Sequence, residues 1–287
     1  MVTIVFLSFH SEKHIRRHIL EIGNSYPIII VDNSRNFEFK NEVYLLNPNI
    51  KFIIPEKNLG FGAAMNLAIK ESKTNYVFIN SPDIFIKKEV IQNLVQSISE
   101  IDTFALLAPT YFDETIHKNY QTKKYEKNNT NISNFLEVDW IDNDFILNKK
   151  EMEGVGFFDE NFFMYFESFD LCKRILNCNK KMYVRTDLKF IHEGTRSTDE
   201  KYLFKVMLSK SWHFCWSKYY FNKKHYGIFF ALKKIFPNFR RALKNIFFYI
   251  FFSPNKEKLY LSLAEISGIL NSILSRKSLY RPFKDQK

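Results

Sequence analysis

Short apolar runs alternate with helical periodicities through the first part of the chain, and this alternation constrains the fold most strongly. Residues 3–8, 27–31 and 76–79 are apolar runs typical of buried strands. Residues 12–22 and 60–72 lie between these runs and carry apolar side chains at helical spacing. Strands separated by single helices predict βαβ units and a largely parallel sheet. The same patterns predict strands at 51–54, 104–107, 138–147 and 181–184, and helices at 88–99, 167–177 and 201–221.

The charge of the chain is divided unevenly along its length. Residues 201–287 carry 18 Lys or Arg against 3 Asp or Glu, whereas the first 200 residues carry 24 against 28. The basic end is also aromatic, and Pro237 and Pro254 are expected to break it into segments. We therefore expect two domains, a nucleotide-binding body at 1–222 and a helical, basic and aromatic extension at 223–287.

The sequence allows three interpretations of this basic extension. It is a nucleic-acid patch, an ordinary solvated helix pair, or an element that lies on an anionic membrane surface. Bulky apolar residues mixed with Lys and Arg favour the membrane surface over nucleic acid. Packing of the aromatic residues on the body, or in a homodimer contact, is the main alternative.

The sequence also indicates the compartment. The longest apolar run, 246–252, has seven residues, whereas a membrane-spanning helix needs about 20. Cys172, Cys178 and Cys215 form no Cys-x-x-Cys pair, which favours a reducing compartment. The first residues resemble no secretory signal. We therefore expect a cytoplasmic protein.

Polar residues follow the predicted strands at the edge where ligands of parallel sheets bind. Asp32 ends one strand, Asp83 follows another, and the glycine-containing segment 58–62 opens a helix. Glycines at a helix start allow close approach of an anion, and a strand-end carboxylate can hold a divalent cation. Together these residues predict a site for a nucleoside diphosphate.

Five motifs, in order, carry a resemblance to a known family. They are VDNS at 31–34, NLGFGAAMN at 58–66, NSPD at 80–83, GFFDENFFMYFESFDLCKR at 156–174 and IHEGTRS at 191–197. In these segments the chain resembles bacterial glycosyltransferase family 2, and especially its rhamnosyltransferase-like branch. The resemblance covers about residues 2–225. It implies a GT-A fold, which is a Rossmann-like α/β fold with a mostly parallel mixed sheet flanked by helices.

The resemblance also implies roles in binding the donor. Asp32 would bind the nucleoside of a nucleotide sugar. Asp83 would be the remaining acid of the Asp-x-Asp signature and would bind Mn²⁺ or Mg²⁺, with Ser81 where the first acid often stands. His192 would be a further contact to the metal or the diphosphate. The other residues lining the donor half would be Asn58, Gly60, Phe61 and Asn66.

The general base is expected on the predicted helix at 167–177. The family usually has Glu-Asp-x-Asp or Glu-Glu-x-Asp there, and the second acid is the expected base. This chain has Ser168 at that position, so Glu167 and Asp170 remain. Either of them serves as the base, or Asp170 pairs with Arg174 and is only structural.

The resemblance implies a metal-dependent, inverting glycosyltransferase of cell-surface polysaccharide biosynthesis. Its donor would be a dTDP- or UDP-sugar, and its acceptor a glycan or a polyprenyl-linked saccharide. It would work at the inner face of the plasma membrane as a peripheral protein. The alternative is a catalytically impaired GT-A domain that binds nucleotide sugar or acts as a scaffold. A nucleotidyltransferase is disfavoured because residues 2–11 contain no glycine.

Each candidate residue also has a purely structural interpretation. Asp32 would form an Asx turn, Asp83 would cap a helix, and His192 would be an interior histidine. The 58–62 segment would be a plain helix start. Trp212, Trp216 and Tyr219 recur at helical spacing and are expected to pack within a core. The polar stretch 113–135 predicts a mobile loop or lid.

Overall fold

A computed structural model describes residues 1–111, 118–122, 134–142, 144–192 and 203–281. Most of the predicted lid, 113–135, lies outside these residues. The chain forms two compact units. The first comprises Met1–Leu59, Ala63–Phe158 and Ser168–Ser197, and the second comprises Gly60–Gly62, Asp159–Glu167 and Thr198–Lys287.

The first unit contains a mixed, largely parallel sheet flanked by helices, which confirms the predicted fold class. Its parallel half has the order β3-β2-β1-β4, and β10 runs antiparallel between β4 and β6. Next to β6 lies the parallel strand β11, which also pairs with the antiparallel strands β5 and β8. The strands are β1 (Val2–Ser8), β2 (Ile28–Asp32), β3 (Lys51–Ile53), β4 (Tyr76–Asn80), β5 (Ile84–Phe85), β6 (Leu106–Tyr111), β8 (Phe135–Glu137), β10 (Phe145–Asn148) and β11 (Met182–His192).

A two-stranded antiparallel sheet accompanies this main sheet. It is formed by β7 (Tyr120–Gln121) and β9 (Trp140–Ile141). The continuous strand predicted at 138–147 is therefore wrong, because β9 and β10 divide this segment between two sheets.

The helices that precede and follow these strands agree with the predicted pattern, with one addition. They are α1 (Glu12–Ile22), α2 (Phe37–Leu46), α3 (Phe61–Glu71), α4 (Lys88–Gln96), which continues into a 3₁₀ turn, and α5 (Glu167–Asn177). The added helix is α2, which buries Phe39 and Val43 but exposes Phe37 and Leu45. The side chain of Asn36 caps it by accepting a hydrogen bond from Phe39 N–H at 3.0 Å.

The second unit is built on three helices that pack against one another, α6 (Leu203–Tyr226), α7 (Ile228–Phe251) and α8 (Lys256–Ile273). Trp212, Trp216 and Tyr219 of α6 are buried, which confirms that they pack in a core. Gly268 of α8 lies so close to α6 that an added Cβ would meet the Trp212 carbonyl oxygen at 2.3 Å. The absence of a side chain therefore sets how closely these two helices approach.

The break predicted at Pro237 is wrong, because α7 continues through it. Pro237 is exposed, so water can hydrogen-bond the carbonyl that loses its partner. Pro254 does lie between two helices, α7 and α8. The boundary predicted between 222 and 223 falls inside α6. Within the described part of the chain, no helix combines the length and the apolar character that crossing a membrane requires.

Candidate active site

Asp32 ends β2 and is fully buried within a tight turn. Its carboxylate accepts hydrogen bonds from the Ser34 N–H at 3.3 Å, from the Ser34 hydroxyl at 2.5 Å and from the Asn36 N–H at 2.6 Å. The Asx-type geometry considered for this residue is therefore present. The neighbouring Asn33 side chain accepts a hydrogen bond from Leu59 N–H at 3.2 Å. This bond joins the Asp32 turn to the segment that contains Asn58, so two of the predicted donor-binding motifs are adjacent.

Asp83 lies in the turn between β4 and β5 and is half-buried. The Ile84 N–H closes this turn by donating to the Ser81 carbonyl at 3.0 Å. The Asn80 side-chain amide donates to the same carbonyl at 3.0 Å. Because a strand follows Asp83, the helix-cap interpretation is wrong. The carboxylate instead projects from a turn that several hydrogen bonds hold in place.

His192 is brought next to this turn by strand pairing. β11 runs antiparallel to β5, so that His192 pairs with Ile84 and Ile191 pairs with Phe85. The residue that follows Asp83 therefore faces His192 across a ladder. The side chain of His192 lies outside the described part of the structure. The two predicted metal-binding residues are thus neighbours at the level of the main chain.

Two further aspartates lie at the same edge of the sheet, and sequence reasoning missed them. Because β10 is antiparallel, its first residue, Phe145, pairs with Ile79 near the end of β4. Asp144 therefore lies opposite the end of β4, where it is buried and accepts the Ser81 N–H at 2.6 Å. Burial raises the pKa of Asp144 to about 8, and the negative charges of Asp142 and Asp83 contribute to the rise.

The hydroxyl of Tyr111 lies close enough to the same aspartates for their negative charge to affect its pKa. Tyr111 ends β6 and is buried. Its pKa is raised chiefly by burial and further by Asp144, Asp142 and Asp83. The signal for this cluster was present in the sequence, since three aspartates, two of them Asp142 and Asp144, interrupt the apolar segment 138–147.

This edge of the sheet has the chemistry to bind a divalent cation, provided that phosphates of the substrate supply some of its ligands. The negative charges of Asp142 and Asp83, which help to raise the pKa of Asp144, would be stabilised by a nearby positive charge. However, no three His, Cys, Asp or Glu side chains converge as a metal site within the residues that the structure describes. Mg²⁺ is commonly held by one or two carboxylates together with substrate phosphates. The oxygen donors here fit that kind of site, in which Asp83 would be the protein side chain that holds the ion.

Gly60 and Phe61 belong to the second unit and contact Phe163. Gly60 has φ +80°, and an added Cβ would lie 2.4 Å from the Phe163 carbonyl oxygen. The Phe61 N–H donates to that same oxygen at 3.0 Å. The glycine is thus required both by the positive φ and by the close backbone approach. The start of α3 therefore has a structural role, which is to pack closely against the main chain of Phe163.

Asn66 makes a two-point contact with the main chain of Phe158. Its amide nitrogen donates to the Phe158 carbonyl at 2.9 Å, and its amide oxygen accepts the Phe158 N–H at 3.0 Å. These bonds hold α3 to the segment at 155–158 within the first unit. They give Asn66 a structural role in addition to the predicted one in donor binding.

Asp170 forms the ion pair that the structural alternative describes. Its carboxylate is fully buried and accepts a hydrogen bond from Arg174 at 2.8 Å. The same guanidinium donates to the carbonyl oxygens of Val155 and Gly156 at 2.8 and 2.9 Å. Asp170 therefore orients an arginine that ties α5 to the preceding loop.

Glu167 begins α5 and follows an unusual backbone segment. Tyr165 and Phe166 both have φ +68°, a left-handed conformation that is costly for large side chains. The pKa of Tyr165 is raised to about 12, first by burial and then by the negative charge of Glu167. Consecutive strained residues of this kind are concentrated at functional sites.

Comparison with known proteins shows the family of this chain. Residues 3–171 match the model of glycosyl transferase family 2. The low-salt glycan biosynthesis hexosyltransferase Agl10 of Haloferax volcanii is 23% identical over 189 residues, which cover 60% of this chain and 61% of that protein. The dTDP-rhamnosyl transferase RfbF of Shigella flexneri is 23% identical over 202 residues, which cover 66% and 67%. The chain thus spans about three fifths of the first relative and about two thirds of the second.

Solved structures share the fold. The mannosyltransferase PcManGT from Pyrobaculum calidifontis, in complex with GDP-Man and Mn²⁺, has a TM-score of 0.56 at 10% identity, covering 96% of this chain and 88% of that chain. S. aureus TarS 1–349 has a TM-score of 0.52 at 14% identity, covering 93% and 90%. At these identities the likeness supports the GT-A fold alone. The family match spans more than half of the chain, so this protein belongs to glycosyl transferase family 2.

Proposed function

We propose that this protein transfers a sugar from a nucleotide diphosphate donor to a glycan or lipid-linked saccharide. The observation that carries the proposal is the turn of Asp83, which hydrogen bonds fix at the carboxyl end of β4 and to which strand pairing brings His192. Ligands of parallel sheets bind at this edge. Asp32, at the end of β2 in the same unit, is proposed to bind the nucleoside.

In this proposal Asp83 holds Mn²⁺ or Mg²⁺, with His192 as a further contact. A bound cation neutralises the charge that develops on the leaving diphosphate. Asp144 keeps the Asp83 turn in position through the Ser81 N–H. The remaining residues proposed for the donor half are Asn58, Gly60, Phe61 and Asn66.

We assign the general base to Glu167. Asp170 is engaged in an ion pair with Arg174, so we favour Glu167 as the carboxylate that accepts a proton from an acceptor hydroxyl. Glu167 stands at the first residue of α5, directly after the strained residues Tyr165 and Phe166. Direct attack by the activated hydroxyl inverts the anomeric centre and needs no covalent intermediate.

The relatives suggest the substrates. One is named a hexosyltransferase of glycan biosynthesis and the other a dTDP-rhamnosyl transferase. We propose a dTDP- or UDP-sugar as donor, and a glycan or polyprenyl-linked saccharide of the cell surface as acceptor. We further propose that the enzyme is cytoplasmic and works peripherally at the inner face of the plasma membrane.

A panel of nucleotide sugars tests this proposal. A ligand that binds only the native state raises the unfolding temperature. We expect one dTDP- or UDP-sugar to raise it, more strongly with Mn²⁺ or Mg²⁺ than with EDTA, and to be hydrolysed or transferred. Stabilisation without turnover would select the binding or scaffolding module. No stabilisation by any donor would contradict the proposal.

A further inference from the structure

Helix α7 carries a row of large apolar side chains on its solvent side. At 100° per residue, the members of this row fall within an arc of about 60°. Their exposed fractions range from 40% to 86%, although they are as bulky as core residues. The buried side of the helix, which includes Ala231, Ile235 and Ala242, lies about 110° around the helix axis from this row. We name this row the α7 stripe; it consists of Phe229, Leu232, Phe236, Leu243, Phe247 and Ile250.

A row of basic residues borders the α7 stripe. Lys233, Arg240 and Lys244 are exposed and fall in the next arc of about 40° around the helix. Ile228–Phe251 contains five Lys or Arg and no Asp or Glu. The helix therefore presents a broad apolar strip beside a strip of purely positive charge.

The positive charge beside the α7 stripe indicates which kind of partner would cover the stripe. A second copy related by a twofold axis would bring the same helix, which has no carboxylates, so the basic residues of α7 would find no opposite charge. Nucleic acid would use the basic residues, but it offers nothing to cover six large aliphatic and aromatic side chains. An anionic lipid surface meets both requirements, because acyl chains cover the apolar residues and headgroups pair with Lys and Arg.

We propose that α7 lies in the plane of an anionic membrane surface, with the α7 stripe inserted at the headgroup boundary and Lys233, Arg240 and Lys244 contacting lipid phosphates. This inference deepens the peripheral location proposed above by naming the surface that binds. It does not depend on glycosyl transfer, because binding is measured without donor or acceptor. Failure to bind membranes would therefore remove the proposed peripheral location but leave the proposed sugar transfer intact, and absence of sugar transfer would leave membrane binding intact.

Flotation with vesicles tests the inference. The full chain should float with vesicles of phosphatidylcholine mixed with phosphatidylglycerol and remain unbound to phosphatidylcholine alone. Each Lys or Arg near an anionic leaflet strengthens membrane binding several-fold. The triple variant K233Q/R240Q/K244Q should therefore bind anionic vesicles on the order of a hundredfold more weakly than the unchanged chain. F236S/F247S should lose roughly as much, because two phenyl groups no longer enter the boundary.

Matched controls lie on the first unit. F37S/L45S removes two exposed apolar side chains from α2, and K13Q/K70Q/K73Q removes three exposed positive charges. Both should float like the unchanged chain, and circular dichroism should show that all variants keep their helix content. The inference is overturned if the unchanged chain does not bind anionic vesicles or if the α7 variants bind as well as the controls. Concentration-dependent dimers that F236S/F247S abolishes would assign the stripe to a second copy and would likewise overturn it.

Discussion

The backbone N–H of Ser81 donates a 2.6 Å hydrogen bond to the buried carboxylate of Asp144. The two residues belong to segments that run in opposite directions, since β4 ends at Asn80 and β10 begins after Asp144. The bond fixes the turn that presents Asp83. A residue outside the family motifs thereby controls the position of the proposed metal ligand.

Two replacements of Asp144 should show whether its hydrogen bond to the Ser81 N–H supports metal binding. Asp144→Leu removes the acceptor, and we expect the apparent affinity for Mn²⁺ to fall roughly 10- to 100-fold, as is typical for residues that support a metal ligand. Asp144→Asn keeps an acceptor for the Ser81 N–H and should retain most of that affinity. The measurement is the Mn²⁺ concentration that gives half-maximal turnover. Equal losses in both variants would contradict the positioning role.

Gly60 should tolerate a methyl group far less well than Gly154. Both residues have positive φ, +80° and +82°, but only at Gly60 does an added Cβ meet backbone, at 2.4 Å from Phe163. We expect Gly154→Ala to lower the free energy of unfolding by about 1 kcal/mol and Gly60→Ala by roughly 3 kcal/mol. Denaturant titration checks this, and equal effects would mean that the contact with Phe163 imposes no constraint.

The two acids of α5 should respond differently to loss of charge. Glu167→Gln should lower kcat roughly 100-fold or more while leaving stability nearly unchanged. Asp170→Asn leaves Arg174 without its buried carboxylate and should lower the free energy of unfolding by about 3 kcal/mol. Steady-state kinetics and denaturant titration on both variants distinguish the roles. Full activity in Glu167→Gln would reject it as the base.

His213 should make the protein less stable as the pH falls. Its Nε2 donates to the Tyr280 carbonyl and its Nδ1 accepts from the Ser278 hydroxyl, both at 2.9 Å, so the neutral ring is bound. Burial lowers its pKa from 6.5 to about 3. Between these values the unfolded chain takes up a proton that the folded chain does not.

The free energy of unfolding should therefore fall with decreasing pH across this window, by up to about 1.4 kcal/mol per pH unit. The stabilisation from neutral His213 is fully present above pH 6.5 and is lost as the pH approaches about 3. His213→Gln should flatten the dependence, whereas the control His14→Gln should keep it. Unfolding measured between about pH 4 and 7 tests this. Parallel pH profiles for all three proteins would contradict the assignment.

The fold could be predicted from local patterns, except where pairing depends on distant residues. Continuous apolar runs indicated β1, β2 and β4 because both faces of these strands are buried. The extension of β11 to His192 was missed, since a register shift between Arg185 and Lys189 interrupts its periodicity. Helix α2 was missed because its exposed face carries Phe37 and Leu45, which removes the amphipathic signal.

In the candidate site, too, local motifs could be recognised from the sequence, whereas contacts made by strand pairing could not. The Asp83 motif was recognised from sequence, and the approach of His192 required the pairing of β11 with β5. Asp144 was overlooked because it stands in an apolar segment, and only the antiparallel direction of β10 brings it to the site. The ion pair of Asp170 and Arg174 followed from helical spacing alone.

Titration of donor turnover with Mn²⁺ in the unchanged chain and in Asp83→Ala tests the central claim most directly. The account predicts saturable, metal-dependent turnover in the unchanged chain and no turnover above background in Asp83→Ala at any Mn²⁺ concentration, with an unaltered unfolding temperature in the absence of ligands. Full turnover by Asp83→Ala with the same Mn²⁺ dependence would contradict it.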